Sequence, residues 1–302
     1  MAGAPTTEQI GPFRTLIALV GATFIRGLIW MFGRVVRVSA EPWLVGPVGN
    51  DYIGDQPYEE LARRENLTLH RNAGEGGLLP SVHALDGPSF QAAGLKPEIR
   101  RFYEHTANHR MDIAGTSFFP GNIGLWLLVT TLSRKVNQLN FPLHALSTAR
   151  EIDSEIVLLK DANEQIRHVG WYRRLGTEAR ALYTGFYMTQ KVPQFENPCV
   201  KVVFPMPNGN ATVILRPSLD KDGNLRLSSK GTQFGDAGFY RVERLDEDRL
   251  RVWRVSTLHE EFFVYLDAHQ ALRCDHTVCF LGMRVLNLHY RIDRKSSATP
   301  RT

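Results

Sequence analysis

Two groups of histidines are the first residues of this 302-residue chain whose types and spacing could support chemistry. His105 and His109 are four residues apart, which on a helix would put both imidazoles on one face, where they could grip one metal ion. The segment lacks the glutamate that directly follows the first histidine in zinc-protease helices, so no metal site is predicted unless a metal is found there. We take both histidines as candidate acid–base groups.

The second group lies near the end of the chain, on two predicted strands. Alternation along a strand places His276 with Cys274 on one face and Asp275 on the opposite face, which makes a shared four-ligand zinc site awkward. His289 lies on the polar face of the next predicted strand. A histidine held by a carboxylate can act as a general base near neutral pH, so Asp275, His276 and His289 are further catalytic candidates.

Aromatic side chains on the predicted strands suit the lining of a pocket for a bulky apolar ligand, and core packing is their alternative role. Arg291 joins them because it lies on the polar face of Val285–Asp293 and could orient a polar head group if that face lines the cavity. The candidate ligand-binding residues are Trp171, Tyr187, Trp253, Tyr265 and Arg291.

Several kinds of chemistry lack their sequence signals. No glycine-rich turn joins a strand to a helix in a βαβ pattern, so neither a dinucleotide site nor a P-loop is predicted. A Gly-x-Ser-x-Gly elbow is absent from the sequence, and Cys199 has no histidine close to it in the chain. We therefore predict that the protein uses no cofactor.

The elements that must position these residues are mainly β-strands. From residue 154 onward, β-branched and aromatic runs alternate with turn signals, of which Asn208-Gly209 is the strongest. About ten consecutive strands predict one large antiparallel meander that is curved or barrel-like, because an open flat sheet of that size is unusual. The predicted fold class is therefore mainly β, of the α+β type, with covering helices ahead of the sheet.

The first half of the chain supplies those helices. Gln56–Glu65 and Glu98–Met111 have helical composition, and the stretch between them is rich in turns. Leu125–Leu132 follows helix-breaking residues, so it predicts a buried or membrane-facing helix and not a continuous span. The predicted organisation is an N-terminal helix in 1–40, a loop-rich helical segment in 41–150, a β domain in 151–293 and a basic tail in 294–302.

Charge is concentrated at the two ends of the chain. The net charge is +5, but the first forty residues hold four arginines against the single acid Glu8, and the tail from Arg294 is also basic. The body between them is nearly neutral, so nucleic-acid binding is not predicted. Three cysteines, an odd number, favour a reducing compartment and hence the cytoplasm.

The N-terminal charge lies on an apolar segment. Pro12–Val38 predicts an amphipathic helix with Arg26, Arg34 and Arg37 on its polar side. Arg26 near the middle disfavours a membrane span. Two roles stay open for residues 12–38: a helix in the membrane interface with Trp30 among its anchors, or a helix packed on the protein's own core.

Two functions follow as expectations. The first is binding of an apolar, lipid-like or polycyclic small molecule inside the curved sheet, with the protein peripheral on the inner face of the membrane. The alternative is a cofactor-independent isomerase, cyclase or hydrolase that acts on such a molecule by histidine–carboxylate chemistry. A scaffold that binds partners through residues 42–94 is a third alternative.

Overall fold

The computed structural model describes residues 27–49, 55–71, 74, 76–118, 150–175 and 181–295. Within these ranges the chain forms one antiparallel sheet of fourteen strands. The helices are α1, Gln56–Glu65, and α2, Pro97–Glu104, and residues 27–32 are also helical. The strands are β1 Arg34–Arg37, β2 Thr68–His70, β3 His109–Ser117, β4 Arg150–Lys160, β5 Ile166–Leu175, β6 Ala181–Val192, β7 Phe195–Met206, β8 Gly209–Leu219, β9 Leu225–Ser228, β10 Gly238–Arg244, β11 Arg249–Arg254, β12 Leu258–Leu266, β13 Leu272–Phe280 and β14 Met283–Arg294.

Neighbouring strands in the sheet run in the order β1, β11, β10, β8, β7, β6, β5, β4, β3, β14, β13, β12 and β9, and β2 pairs with β4 outside this path. From β3 to β8 the order follows the chain, as in the predicted meander. β9 pairs with β12 through Leu225–Ser228 and also pairs with β8 through the same four residues. The short strand β9 therefore has a hydrogen-bonded neighbour on each side.

The mainly β fold class and most of the predicted strands are confirmed. α1 has the bounds that the sequence predicted. The hairpin between β7 and β8 turns at the predicted position, where Asn208 adopts a left-handed backbone with φ of 59°. Asparagine tolerates this conformation better than most residues, which explains the strength of the signal.

The strand count exceeds the prediction because β1, β2 and β3 come from regions that the sequence assigned to helix or loop. The helix expected to continue to Val38 ends at residue 32, and the following Arg34–Arg37 forms strand β1, which pairs with β11. The helix expected to reach Met111 ends at Glu104, and β3 begins at His109. In both places backbone pairing with neighbouring strands outweighs the local helical pattern. Leu125–Leu132 lies outside the described residues.

The main hydrophobic core lies on one face of the sheet, called the core face from here on. Side chains from β3 to β9 and from β12 to β14 contribute to it, and residues 78–103 pack against it with Leu79, Phe90 and Ile99. Asn197 on β7 fixes this covering segment, because its buried amide binds Ser89 and the carbonyl oxygen of Leu85. The segment and the sheet therefore form one core.

Two smaller cores lie on the opposite, outer face. In the first, Trp43 and Leu44 pack beside Tyr240. In the second, Tyr58 of α1 is fully buried against the sheet near Phe186. Gly170 makes room for it, since a Cβ at that position would lie 2.2 Å from the Tyr58 ring. The helix can approach the sheet so closely only because glycine has no side chain.

Candidate functional site

The histidine pair predicted on one helix lies on two different elements. His105 follows the end of α2 and His109 begins β3. His109 is buried, and its Nδ1 donates to the carbonyl oxygen of His105 at 2.9 Å. Burial lowers the pKa of His109, so its ring is neutral at neutral pH. Within the described ranges, no group of three or more His, Cys, Asp or Glu side chains could hold a metal ion.

Two predicted catalytic residues do meet, but on the outer face of the sheet. His289 Nδ1 lies 2.7 Å from Asp275 Oδ1, and its Nε2 lies 3.1 Å from the Asn287 amide. The His289 side chain is largely exposed to solvent. Arg291 shares this face, where its Nε lies 3.0 Å from Asp293. The polar side of β14 is thus directed away from the core, and a ligand in the core would not reach Arg291 or His289.

The predicted ligand-binding aromatic residues divide between different surroundings. Trp171 and Tyr187 lie on the core face, with ring centroids 5.5 Å apart. Trp253 lies on β11, where its ring stacks on Phe32 at 6.2 Å. Tyr265 lies on the outer side of β12, in contact with the neighbouring ring of Phe263. Trp171 and Tyr187 are therefore the two members of this set that face the core.

Arg173 is the most unusual residue of the core face. It is two residues beyond Trp171 on β5 and is 4% exposed. Its guanidinium carbon lies 4.6 Å from the ring centroid of Trp171, 5.7 Å from that of Tyr183 and 5.3 Å from that of Tyr290. Its Nε and Nη2 are buried and have no hydrogen-bond partner. Aromatic rings therefore surround a permanent cation that lacks an oxygen partner on this edge.

Three tyrosines share this environment. The Tyr183 hydroxyl donates to the Tyr187 hydroxyl at 2.9 Å, and the Tyr290 ring on β14 lies 5.3 Å from the Arg173 guanidinium carbon. Burial raises the pKa of all three hydroxyls, and the positive charge of Arg173 partly offsets that rise. All three tyrosines are therefore protonated at neutral pH and can donate hydrogen bonds.

His276 and Glu260 form a second polar pair on the core face. His276 Nε2 lies 2.9 Å from Glu260 Oε2, and both side chains are mostly buried. The imidazole stacks on Phe262 with the ring centroids 3.9 Å apart. His276 Nδ1 is buried without a hydrogen-bond partner. Because Nε2 donates to the carboxylate, Nδ1 is the nitrogen that could accept a proton from a bound molecule.

Glu260 lies near enough to the three tyrosines to act on them electrostatically. The negative charge of Glu260 contributes to the raised pKa of Tyr183, Tyr187 and Tyr290, the same hydroxyls on which Arg173 acts. Charges from β5 and β12 therefore converge on tyrosines from β6 and β14. The core polar cluster consists of Arg173, Tyr183, Tyr187, Glu260, His276 and Tyr290.

The candidates selected from the sequence include His276 and Tyr187 of this cluster but neither of its two charged residues, Arg173 and Glu260. Arg173 carries a visible signal, because it continues the apolar alternation of Val169 and Trp171 with a charge. Glu260 carries a similar one, since Phe262 lies two residues after it on the same strand. A single charge within an alternating apolar strand is thus the pattern that could have identified both residues.

The N-terminal segment presents a separate surface. Trp30 is 71% exposed and Phe32 is 59% exposed, and Met31 between them is also exposed. The arginine that follows, Arg34, lies over the ring of Phe234 at 4.2 Å. Among the described residues, no helix is both long and apolar enough to cross a membrane. Pro12–Val38 lies within the described residues only from residue 27 onward.

Comparisons with protein-family models, with curated proteins and with solved structures gave no match for this chain.

Proposed function

We propose that this protein binds a hydrophobic molecule, lipid-like or polycyclic, inside a barrel-like sheet. The pairing of β9 with both β12 and β8 supports this shape, because it would join ten strands, β3–β9 and β12–β14, into a ring. A second support is the contact between Arg173 and Tyr290. Their strands are separated by β4 and β3, a distance of about 14 Å across a flat sheet, and a strong bend between them would account for the contact.

The observation that carries the proposal is the core polar cluster. A core built only for stability rarely contains an arginine, a histidine and a glutamate, because burial of charge is costly without full pairing. The surrounding surface is aromatic and aliphatic, as in sites that hold bulky apolar ligands. A ligand with an apolar body packed against these rings and a polar group bound at the cluster would match both features.

Extraction tests this function directly. Native protein is purified without detergent, extracted with organic solvent and analysed by mass spectrometry, with heat-unfolded protein as the control. We expect one apolar species in near-stoichiometric amount. Ala211→Phe adds a ring on the core face and should reduce its recovery, whereas Asn287→Phe on the outer face should leave it unchanged. Absence of an extracted molecule together with absence of binding of added lipids would contradict the proposal.

We further propose that the protein is peripheral on the inner face of the membrane, with Trp30 and Phe32 in the lipid interface. Exposed aromatic side chains followed by Arg34 and Arg37 suit an anionic membrane surface. The Trp30→Ser/Phe32→Ser variant should lose sedimentation with phosphatidylglycerol vesicles. Leu281→Ser, at another exposed apolar residue, is the matched control. Equal sedimentation of wild type and double variant would refute this contact.

A second candidate function is acid–base catalysis on the bound molecule, favoured by the Glu260–His276 pair. The carboxylate orients the imidazole through Nε2, so Nδ1 is left to accept a proton from the bound molecule. Such a base suits an isomerisation, a cyclisation or a hydrolysis. The extracted molecule is incubated with wild type, Glu260→Gln and Asp275→Asn, and products are followed by mass spectrometry. Conversion by wild type and Asp275→Asn but not by Glu260→Gln is expected. Equal conversion by Glu260→Gln, or none by wild type, would exclude this role.

A further inference from the structure

The two nitrogens of Arg173 that lack partners are adjacent on the guanidinium. Nε and Nη2 form its side-on edge, whose two N–H groups are parallel and match the spacing of the two oxygens of a carboxylate. Both atoms are buried, and the side chain as a whole is 4% exposed. Aromatic rings stabilise the charge but accept no directed hydrogen bond along this edge. The edge is therefore a preformed pair of donors without an acceptor.

The acidic groups of the described residues do not fill this place. Glu260 is the carboxylate of the core polar cluster, and His276 engages it at 2.9 Å. Among the described residues, none brings a carboxylate within salt-bridge distance of Arg173. Tyr187 accepts the hydrogen bond from Tyr183, so its own hydroxyl proton is still available to an acceptor. Arg173 and Tyr187 together offer three donors to one oxyanion.

We propose that the ligand is an amphipathic acid whose carboxylate binds the Nε and Nη2 edge of Arg173, with the Tyr187 hydroxyl as a third donor. The apolar body then lies along the aromatic part of the core face, near Trp171 and Tyr290. This inference rests on the proposed binding function and adds to it the chemical class of the ligand. It also gives the Nε and Nη2 edge an oxygen partner, which that edge lacks, and leaves the hydrogen bond between Arg173 and Tyr290 in place.

The test compares three probes of one chain length: oleate, methyl oleate and oleyl alcohol. Each is titrated below its aggregation concentration into delipidated full-length protein, and binding is followed by calorimetry and native mass spectrometry. Oleate should bind one per protein and at least about tenfold more tightly than the two neutral probes, because a charge-assisted bidentate contact is among the stronger polar interactions.

Variants at two adjacent arginines locate the contact. Arg173→Gln should weaken oleate binding about 10- to 100-fold and leave methyl oleate unchanged. Arg173→Lys keeps the charge but not the paired donors, so it should recover only part of the loss. Arg174→Gln is the matched control, since Arg174 is directed to the outer face, is partly exposed and pairs with Asp153. Circular dichroism and thermal unfolding verify that each variant is folded.

The outcomes separate this inference from the proposed function. Equal affinity for oleate and methyl oleate, or equal loss in Arg173→Gln and Arg174→Gln, would overturn the carboxylate site and leave hydrophobic binding in place. Failure of all three probes to bind, with no molecule extracted from native protein, would overturn both. If Arg173→Gln does not fold, the comparison of acid and ester on wild type, together with Arg173→Lys, still decides the inference.

Discussion

Lys201 on β7 offers a quantitative test of how this fold treats a buried charge. Its side chain is 1% exposed, and Nζ donates to the carbonyl oxygens of Trp43 and Val45 at 2.7 and 2.6 Å. Burial lowers the pKa of Lys201 from 10.5 to about 7. Because an unfolded chain restores the ordinary pKa, the unfolded state binds a proton between these pH values that the folded state does not. The stability of the fold should therefore rise with pH across this window.

The size of the effect follows from the two pKa values. Between pH 6 and pH 9, the contribution of Lys201 to the free energy of unfolding should increase by about 3 kcal/mol. Lys201→Met removes this titration. It also leaves the two carbonyl oxygens without their donor, an effect of about 1–3 kcal/mol that does not depend on pH. The difference in stability between wild type and variant should therefore grow with pH.

Urea unfolding followed by tryptophan fluorescence measures this difference at pH 6, 7.5 and 9 in reducing buffer. Other titrating groups are common to both proteins, so they cancel in the comparison. Lys191→Met, at an exposed position of β6, controls for the loss of one positive charge. A constant difference between wild type and Lys201→Met across the three pH values would refute the argument that burial depresses the pKa of this lysine.

Three further predictions concern packing against the sheet and the burial of two cysteines. Gly170→Ala should destabilise the protein by about 2 kcal/mol or more, because the new methyl group would overlap the Tyr58 ring. Gly74→Ala is the control, since its methyl group enters open space. Equal urea midpoints for the two variants would contradict this prediction. Asn197→Ala should lower the free energy of unfolding by about 2–3 kcal/mol and speed amide exchange in residues 78–95 of the covering segment. Unchanged exchange would show that other contacts fix the segment. At pH 8, thiol labelling of native protein should modify Cys279 first, because burial raises the pKa of the Cys199 and Cys274 thiols to about 12. Equal labelling rates for the three cysteines would refute the burial of Cys199 and Cys274.

Much of the sheet could be predicted because its signals are local. The alternation of Leu286, Leu288, Tyr290 and Ile292 marks one apolar face, and these four residues are all buried. Turn residues such as Asn208 depend on backbone conformation at one position, which the residue type largely determines. β1 and β3 could not be predicted in this way, because their conformation depends on pairing with strands far away in the chain.

The candidate site was less accessible from the sequence. Asp275 and His289 were reasonable catalytic candidates, and they do form a pair, but on the solvent side of the sheet. Alternation specifies that residues such as His276 and Cys274 share a face, yet it does not specify which residue of another strand that face will meet. The partner of His276 proved to be Glu260 from the strand before it in the chain.

The sequence by itself determined the mainly β class, most strand positions, α1 and the apolar face of β14, because these depend on side-chain periodicity and turn chemistry within short windows. Only the tertiary structure decided that Arg173, Glu260 and three tyrosines gather on the core face. Their strands are distant in the chain, and β5 and β14 are separated by two others in the sheet. The order and pairing of the strands bring these groups onto one face, and neither is encoded in the pattern of any one strand.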